Sequence, residues 1–407
     1  MTAGSLDARP RGFRNGSRIR VLFVVPSLVN EGAQTQVVNL IIGLDDERFE
    51  KHLMTFCDES RLAQATRLRG EGVDFVNVGR RYKLDLAPAQ RIASLVDKHQ
   101  IDIVHCSLQI SALFGALGIR WARRKPALLI ALHTTKNRGL KDEMFDRSIY
   151  QWVLRQAARV VFVSRMQQDY WRAKFPHLAA KSTTVFNGVD CRHFDPERFR
   201  TPRGAARREL GIAEDAGVIC CLAGLRREKG HHILLRAFES VQSVLPDAVL
   251  LLAGSGERRS RIERQVVQRE MRDSVRLLGS VADVRPLLAA SDVSVLASTA
   301  VETFSMAVLE SMAMGVPVVG TDVGGMAEAV ATGETGFVVP PEDSEALAHA
   351  LVQVLSNPLT ARCMGSLGRA RVMARFSRES MIDRTADVLQ ELVATTTGLR
   401  AGRSHVL

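Results

Sequence analysis

Two glutamates eight positions apart, Glu302 and Glu310, carry the strongest chemical signal in the chain. They lie in Val295–Pro317, VLASTAVETFSMAVLESMAMGVP. A strand is expected to end near Ala297, and a polar loop then runs to Glu302. Phe304–Ser305 opens a short helix that stops at Gly315. Such a loop and helix start present backbone N–H groups to an oxygen-rich ligand. Glu302 on the loop and Glu310 a little over a turn into the helix can face one crevice. Carboxylates there suit sugar and ribose hydroxyls, which donate charge-assisted hydrogen bonds to them. Two glutamates alone would also fit an exposed helix. The small-residue loop and the Gly-Val-Pro-Val-Val that follows favour the crevice.

A second segment is Ala223-Gly-Leu-Arg-Arg-Glu-Lys-Gly230, placed directly after an apolar run. Cationic side chains such as Arg226 and Lys229 at a strand's carboxyl end, leading into a helix, suit a diphosphate. No D-x-D spacing occurs, and no His/Cys/Asp cluster has metal-ligand spacing, so no metal and no cofactor are expected.

These segments need elements to hold them. In the first half, strands are expected at Ile19–Val25, His52–Phe56, Ile101–His105, Leu128–Leu132, Val160–Val163 and Thr184–Phe186, with an amphipathic helix at about Ala33–Leu44. The pattern restarts after Pro202 and Gly204. Strands follow at Val218–Ala223, Ala248–Ala253, Val275–Leu278, Val293–Leu296, Val316–Gly320 and Phe337–Val339, with a helix at about Ser255–Glu270 among those between them. Alternating apolar strands and helices imply parallel sheets covered on both faces. The expected layout is a flexible basic tail at 1–17, a first doubly wound domain at 18–200, a second at 201–376, and a C-terminal helix at 377–395 that closes the second domain or docks on the first. Open parallel sheets bind ligands at the carboxyl ends of their strands, so the two would face each other across a cleft.

The 407 residues carry 46% hydrophobic residues and a net charge of +11. No apolar run is long enough to span a membrane, and the first residues lack the apolar stretch of a signal peptide. Six scattered cysteines without C-x-x-C spacing fit free thiols in a reducing cytosol. The arginine clusters at 120–125, 203–208 and 258–264 suit an anionic partner or simply a solvated surface. Three Tyr and three Trp, with no basic-aromatic interleaving, argue against nucleic acid. Gly254-Ser-Gly256 continues as Glu-Arg-Arg, so the dinucleotide fingerprint fails.

The segment Glu302-Thr-Phe-Ser-Met-Ala-Val-Leu-Glu310 resembles the E-x7-E motif of the family 4 (group 1) glycosyltransferases. The likeness continues through Gly324-Gly-Met-Ala-Glu328 and Gly333–Pro340. It implies a GT-B fold, two Rossmann-like domains around a cleft. It also implies a retaining glycosyltransferase moving a hexose or N-acetylhexosamine from a nucleotide sugar, with a UDP-sugar ahead of GDP-mannose. The acceptor would be a glycan, glycolipid or lipid-linked molecule in polysaccharide or cell-surface glycan biosynthesis. By resemblance Glu302 contacts the donor sugar and Glu310 the ribose, while the backbone at Phe304, Ser305 and Met306 holds sugar hydroxyls and phosphate. Lys229 matches the family's diphosphate lysine. Many members carry an arginine where this chain has Gly224, so Arg226 is the expected second cation. Gly32 falls in the family's glycine-rich loop, here Gly-Ala in place of Gly-Gly. His133 matches the active-site histidine. His105 and Ser107 match an acceptor-side D-x-x-H-x-H pattern whose second histidine is the serine; a structural role fits His105 equally.

Metal independence also accords with the resemblance. The protein is expected to be cytoplasmic, and the basic clusters of the first domain suggest peripheral contact with an anionic lipid surface at the inner face of the membrane or a lipid-diphosphate acceptor; a soluble enzyme with an arginine-rich surface fits them equally. Two alternatives stay open, a non-catalytic GT-B binding module and a nucleotide-sugar 2-epimerase.

Overall fold

The computed structural model describes residues 18–28, 32–57, 63–73, 75–79, 85–133, 146–199 and 201–403. The expected tail at 1–17 lies outside them. Seven strands form the first sheet: β1 (Ile19–Val25), β2 (Phe49–Thr55), β3 (Phe75–Asn77), β4 (Ile103–Ser107), β5 (Ala127–Leu132), β6 (Arg159–Phe162) and β7 (Ser182–Thr184). Between them run α1 (Gly32–Gly43), α2 (Ala63–Gly70), α3 (Ala87–Lys98), α4 (Gln109–Trp121), α5 (Gln151–Gln156) and α6 (Arg165–Lys174). After α7 (Arg203–Glu209) a six-stranded sheet follows: β8 (Val218–Leu222), β9 (Val249–Ala253), β10 (Val275–Gly279), β11 (Val293–Leu296), β12 (Val318–Thr321) and β13 (Gly336–Val339). Its helices are α8 (His231–Val244), α9 (Arg259–Gln268), α10 (Arg285–Ala290), α11 (Met306–Ala313), α12 (Met326–Ala329), α13 (Ser344–Leu355) and α14 (Pro358–Arg375), and α15 (Arg378–Arg403) ends the described chain.

Both sheets are parallel. Their orders are β3-β2-β1-β4-β5-β6-β7 and β10-β9-β8-β11-β12-β13. Each order reverses once, between β1 and β4 and between β8 and β11, and a crevice opens at the carboxyl ends of strands at such a point. The expected strands are present, with shifted ends. The strand expected from Val316 begins at Val318, because Pro317 has no N–H and only its carbonyl joins the ladder, accepting from Ser294 at 2.9 Å. The helix expected from Ser255 begins at Arg259, after Gly254 and Gly256 take φ of 150° and 158°. The short β3 at Phe75–Asn77, only partly buried, gave no apolar run to find it by.

Not every arginine of the basic clusters is surface charge. Arg207 is 1% exposed. Its guanidinium pairs with Asp292 at 2.7 Å and donates to the carbonyls of Ala213, Glu214, Ala216 and Ala290. Lys125 donates to three carbonyls at the end of α4, and Arg124 pairs with Asp102.

Several contacts bind the halves together. Met381, Ile382, Ala386 and Leu389 on α15 join the core of the first sheet beside α1. The Glu328 carboxylate, beside the second sheet, accepts the N–H groups of Arg165 and Met166 at 2.9 and 3.0 Å, placing a negative charge at the start of α6. Phe186, Phe304 and Phe376 form an aromatic cluster with ring centroids 5.1 to 5.2 Å apart. Phe376 is fully buried. Phe376→Ala should lower the free energy of unfolding by about 3–5 kcal/mol, measured by denaturant titration; a loss below about 1 kcal/mol would mean that the cluster does not tie the halves.

Candidate active site

At the second reversal point the chain leaves β8, passes Arg226, and makes one tight turn at Arg227–Lys229. Gly230 then takes a left-handed φ of 65°, and an added Cβ would stand 1.8 Å from the Ala297 carbonyl oxygen. Only glycine lets this turn press on the end of β11. Thr299 N donates to the Glu228 carbonyl at 2.8 Å and fixes the two loops together.

That contact brings Lys229 and Glu302 face to face. Lys229 Nζ donates to Glu302 Oε2 at 2.6 Å, and Ser298 Oγ donates to the same oxygen at 3.2 Å. The two side chains are 20% and 11% exposed. The loop that carries Glu302 is held in an unusual shape. Val301 has a φ of 45°, a conformation that costs a β-branched residue on the order of 1–3 kcal/mol. The Gly324–Gly325 turn supports it from below, with Gly325 N donating to the Thr303 carbonyl at 2.8 Å.

Glu310 sits one turn into α11 and makes no side-chain hydrogen bond to a described residue. Burial pushes its carboxyl up to about 7. Its environment therefore differs from that of Glu302, whose charge faces Lys229. The start of α11 has no side-chain cap from Ser305, which leaves its first N–H groups for a ligand. Phe304 is buried in the aromatic cluster and its carbonyl accepts from Asn187 Nδ2 at 3.0 Å.

Arg226 is exposed and folds back along the chain. Its Nε lies 3.5 Å from the point where a Cβ on Gly224 would stand. A side chain at position 224 would therefore lie in van der Waals contact with Arg226.

From the first sheet, Gly32 faces α11: a Cβ there would lie 3.5 Å from Met306 Cγ. Gln36, one turn on, donates from Nε2 to Met306 Sδ at 3.1 Å and accepts the Gly188 N–H at 2.9 Å. His133 follows β5, with Nε2 sealed from solvent and unpartnered among the described residues. His105 and Ser107 sit on β4, 3% and 1% exposed, and share a cavity of about 40 Å³ with His133, Gln36 and Asn187. Burial pushes both imidazoles down to about 4, and His133 lowers His105 further. Both are neutral at pH 7. The cavity has room for a water molecule, which His105 Nδ1 and Ser107 Oγ could bond.

The structure thus joins Lys229 to Glu302 and Gly32 to Met306, and it groups His133 with His105 and Ser107. Sequence reasoning missed Gln36 and Ser298 as holding residues, whereas Asn187-Gly-Val-Asp190 reads in the sequence as an interdomain turn and Asn187 reaches the Phe304 carbonyl. Gln36 had one signal, a polar side chain on the apolar face of an amphipathic helix.

The model described as glycosyl transferases group 1 matches residues 202–371, and that of glycosyltransferase family 4 matches residues 30–193. A GDP-mannose-dependent alpha-(1-6)-phosphatidylinositol monomannoside mannosyltransferase of Mycolicibacterium smegmatis is 30% identical over 314 residues, 74% of this chain and 79% of the relative. An N-acetyl-alpha-D-glucosaminyl L-malate synthase of Bacillus anthracis is 27% identical over 76% of this chain and 80% of its own length. Among solved structures, HepE of Anabaena in complex with UDP and glucose superposes with a TM-score of 0.79 at 22% identity, covering 92% of this chain and all of that one. The chain belongs to the family 4 (group 1) glycosyltransferases, and it is a glycosyltransferase of the GT-B fold.

Proposed function

We propose that this glycosyltransferase moves a hexose or N-acetylhexosamine from a nucleotide-diphosphate sugar, with retained anomeric configuration and without a metal ion, to a glycan, glycolipid or lipid-linked acceptor. The observation that carries the reading is the Lys229–Glu302 pair at the reversal point of the second sheet. A diphosphate attracts Lys229, and sugar hydroxyls donate to Glu302. A nucleotide sugar supplies both in one molecule, so neither charge is left unpaired when the pair opens.

Lys229, Arg226 and the start of α11 then offset the charge that grows on the leaving diphosphate. The bond from the anomeric carbon to the phosphate oxygen breaks as the acceptor oxygen bonds to that carbon on the same face. The acceptor's proton passes to the departing phosphate oxygen. Glu302 holds the donor sugar, and Glu310 accepts from the ribose. His133, neutral at pH 7, serves as a hydrogen-bonding group for the sugar and not as a proton carrier. Gly32 lets the first domain close on α11, which excludes water.

A UDP-sugar stands first and GDP-mannose second. UDP occupies the solved Anabaena neighbour, and the mannosyltransferase relative is named for GDP-mannose. The lipid-linked acceptor draws on the same relative, named for a phosphatidylinositol monomannoside, and a role in polysaccharide or cell-surface glycan synthesis would follow from such an acceptor. No helix among the described residues is long and apolar enough to cross a membrane, so contact with an anionic membrane surface would be peripheral. Liposome co-sedimentation that ignores anionic lipid content would remove that part. The donor is tested by thermal shift with UDP, GDP, ADP and their sugar conjugates, with and without EDTA. One nucleotide series should stabilise the protein regardless of EDTA. A shift that EDTA abolishes would overturn the metal-free reading, and no shift with any nucleotide would overturn the donor assignment.

Two variants probe the site. Lys229→Ala should lower kcat/KM by about ten- to a hundred-fold, roughly 1.5–3 kcal/mol of phosphate interaction; unchanged kinetics would remove Lys229 from the diphosphate. Glu310 gives a pH test. Its carboxyl is raised from 4.5 to about 7, so the folded chain holds this proton more tightly than the unfolded chain. The resulting stability is full at low pH and is lost as pH rises through about 7. Glu310→Gln keeps the neutral state throughout, so its melting temperature should gain on wild type from about pH 5 to about pH 8. Ribose hydroxyls favour the ionised form, so wild-type donor affinity should rise across the same range while the variant's stays flat. Parallel profiles would place the ribose elsewhere.

A further inference from the structure

Much of the chain's excess positive charge is tied down within the fold, as Arg207, Arg124 and Lys125 illustrate. A different group of arginines faces a cavity. Arg226, Arg227, Arg258 and Arg261 surround a cavity of about 330 Å³ between the starts of α8 and α9. No carboxylate lines it. Arg227, Arg258 and Arg261 form no ion pair with a described residue, whereas Arg259, on the same helix as Arg261, is paired with Glu263 at 2.8 Å.

Three further features share the polarity. Both helices begin without a side-chain cap, at Gly230 and Arg258, so two positive helix ends border the cavity. His231 lines it, is 4% exposed, and leaves Nδ1 without a partner among the described residues. Gln265 adds an amide on the α9 wall. His232, also in the lining, is held below its ordinary proton affinity by burial and then by Arg236 and Arg261, with Glu342 opposing.

We infer that this cavity is a second anion site, distinct from the donor crevice, that takes a compact ligand bearing two or more phosphate groups. Guanidinium forks match phosphate oxygens, and several clustered forks select for more than one phosphate. The occupant is either a free oligophosphate or the phosphorylated headgroup of a lipid, and the chemistry of the cavity is the same for both. Arg226 lines the cavity and is also the proposed second cation for the donor's diphosphate, so the occupant would bias how Arg226 meets the donor. The inference does not depend on which nucleotide the donor carries.

The test uses inorganic tripolyphosphate and isothermal titration with the full chain. Three proteins are compared: wild type, Lys229→Ala, and the double variant Arg258→Ala/Arg261→Ala. Arg261 is exposed and Arg258 is half-buried, so circular dichroism melts check that the variant is folded; Arg261→Glu serves as a second variant. Binding should persist in Lys229→Ala and weaken by about tenfold or more in the arginine variants. Binding lost in Lys229→Ala and kept in the arginine variants would place the anion in the donor crevice and overturn the inference. The same holds if wild type binds neither tripolyphosphate nor vesicles. The source is separated by vesicles of phosphatidylcholine with and without phosphatidic acid. Capture by phosphatidic acid that Arg258→Ala/Arg261→Ala abolishes assigns a lipid headgroup. Tripolyphosphate binding without such capture assigns a free ligand.

Discussion

The ion pair between Lys229 and Glu302 is the interaction on which the second half of the structure converges. Two partly buried charges are costly unless each answers the other. The fold supplies that answer by bringing two loops from neighbouring strands, β8 and β11, into contact. Gly230 permits the approach, Ser298 completes the hydrogen bonding of Glu302, and the Gly324–Gly325 turn holds the loop in place. A ligand can displace the pair at low cost only if it offers an anion to the lysine and donors to the glutamate together.

The remaining architecture serves to bring a second surface over that pair. The first sheet reverses its strand order at β1 and β4, and Gly32 leaves β1 directly opposite Met306. Gln36 and Asn187 tie the two sides across the cleft. Glu328 supplies a charge to the start of α6 from the other half, and α15 returns from the end of the second half to the core of the first. These ties combine the apolar packing of α15 and the Phe186–Phe304–Phe376 cluster with hydrogen bonds around the cleft.

Much of this was legible in the residues. Strand-helix alternation gave two parallel sheets because a strand buried on both faces must be almost wholly apolar, as Val249–Ala253 is. Glu302 and Glu310 stood out through their setting, a small-residue loop before and Gly-Val-Pro-Val-Val after, and Lys229 through its place behind a strand end. What stayed hidden depended on tertiary contact. Nothing in the local sequence told Arg207, buried against Asp292, from Arg258, which faces an open cavity. Nor could spacing reveal that Arg226 folds over Gly224, or that Gln36 reaches Met306 from 270 residues away.

The central claim is that the donor replaces a pre-formed pair and satisfies both of its charges. Its most direct measurement is calorimetric binding of the nucleoside diphosphate and of its sugar conjugate to wild type and to Glu302→Gln. A bare diphosphate takes Lys229 and leaves Glu302 unpaired, so removing that charge should strengthen its binding. The sugar conjugate needs Glu302 as an acceptor, so the same substitution should weaken it. Opposite signs for the two ligands are the predicted result. A change of the same sign and size for both would show that Glu302 does not meet the sugar, and would contradict the account.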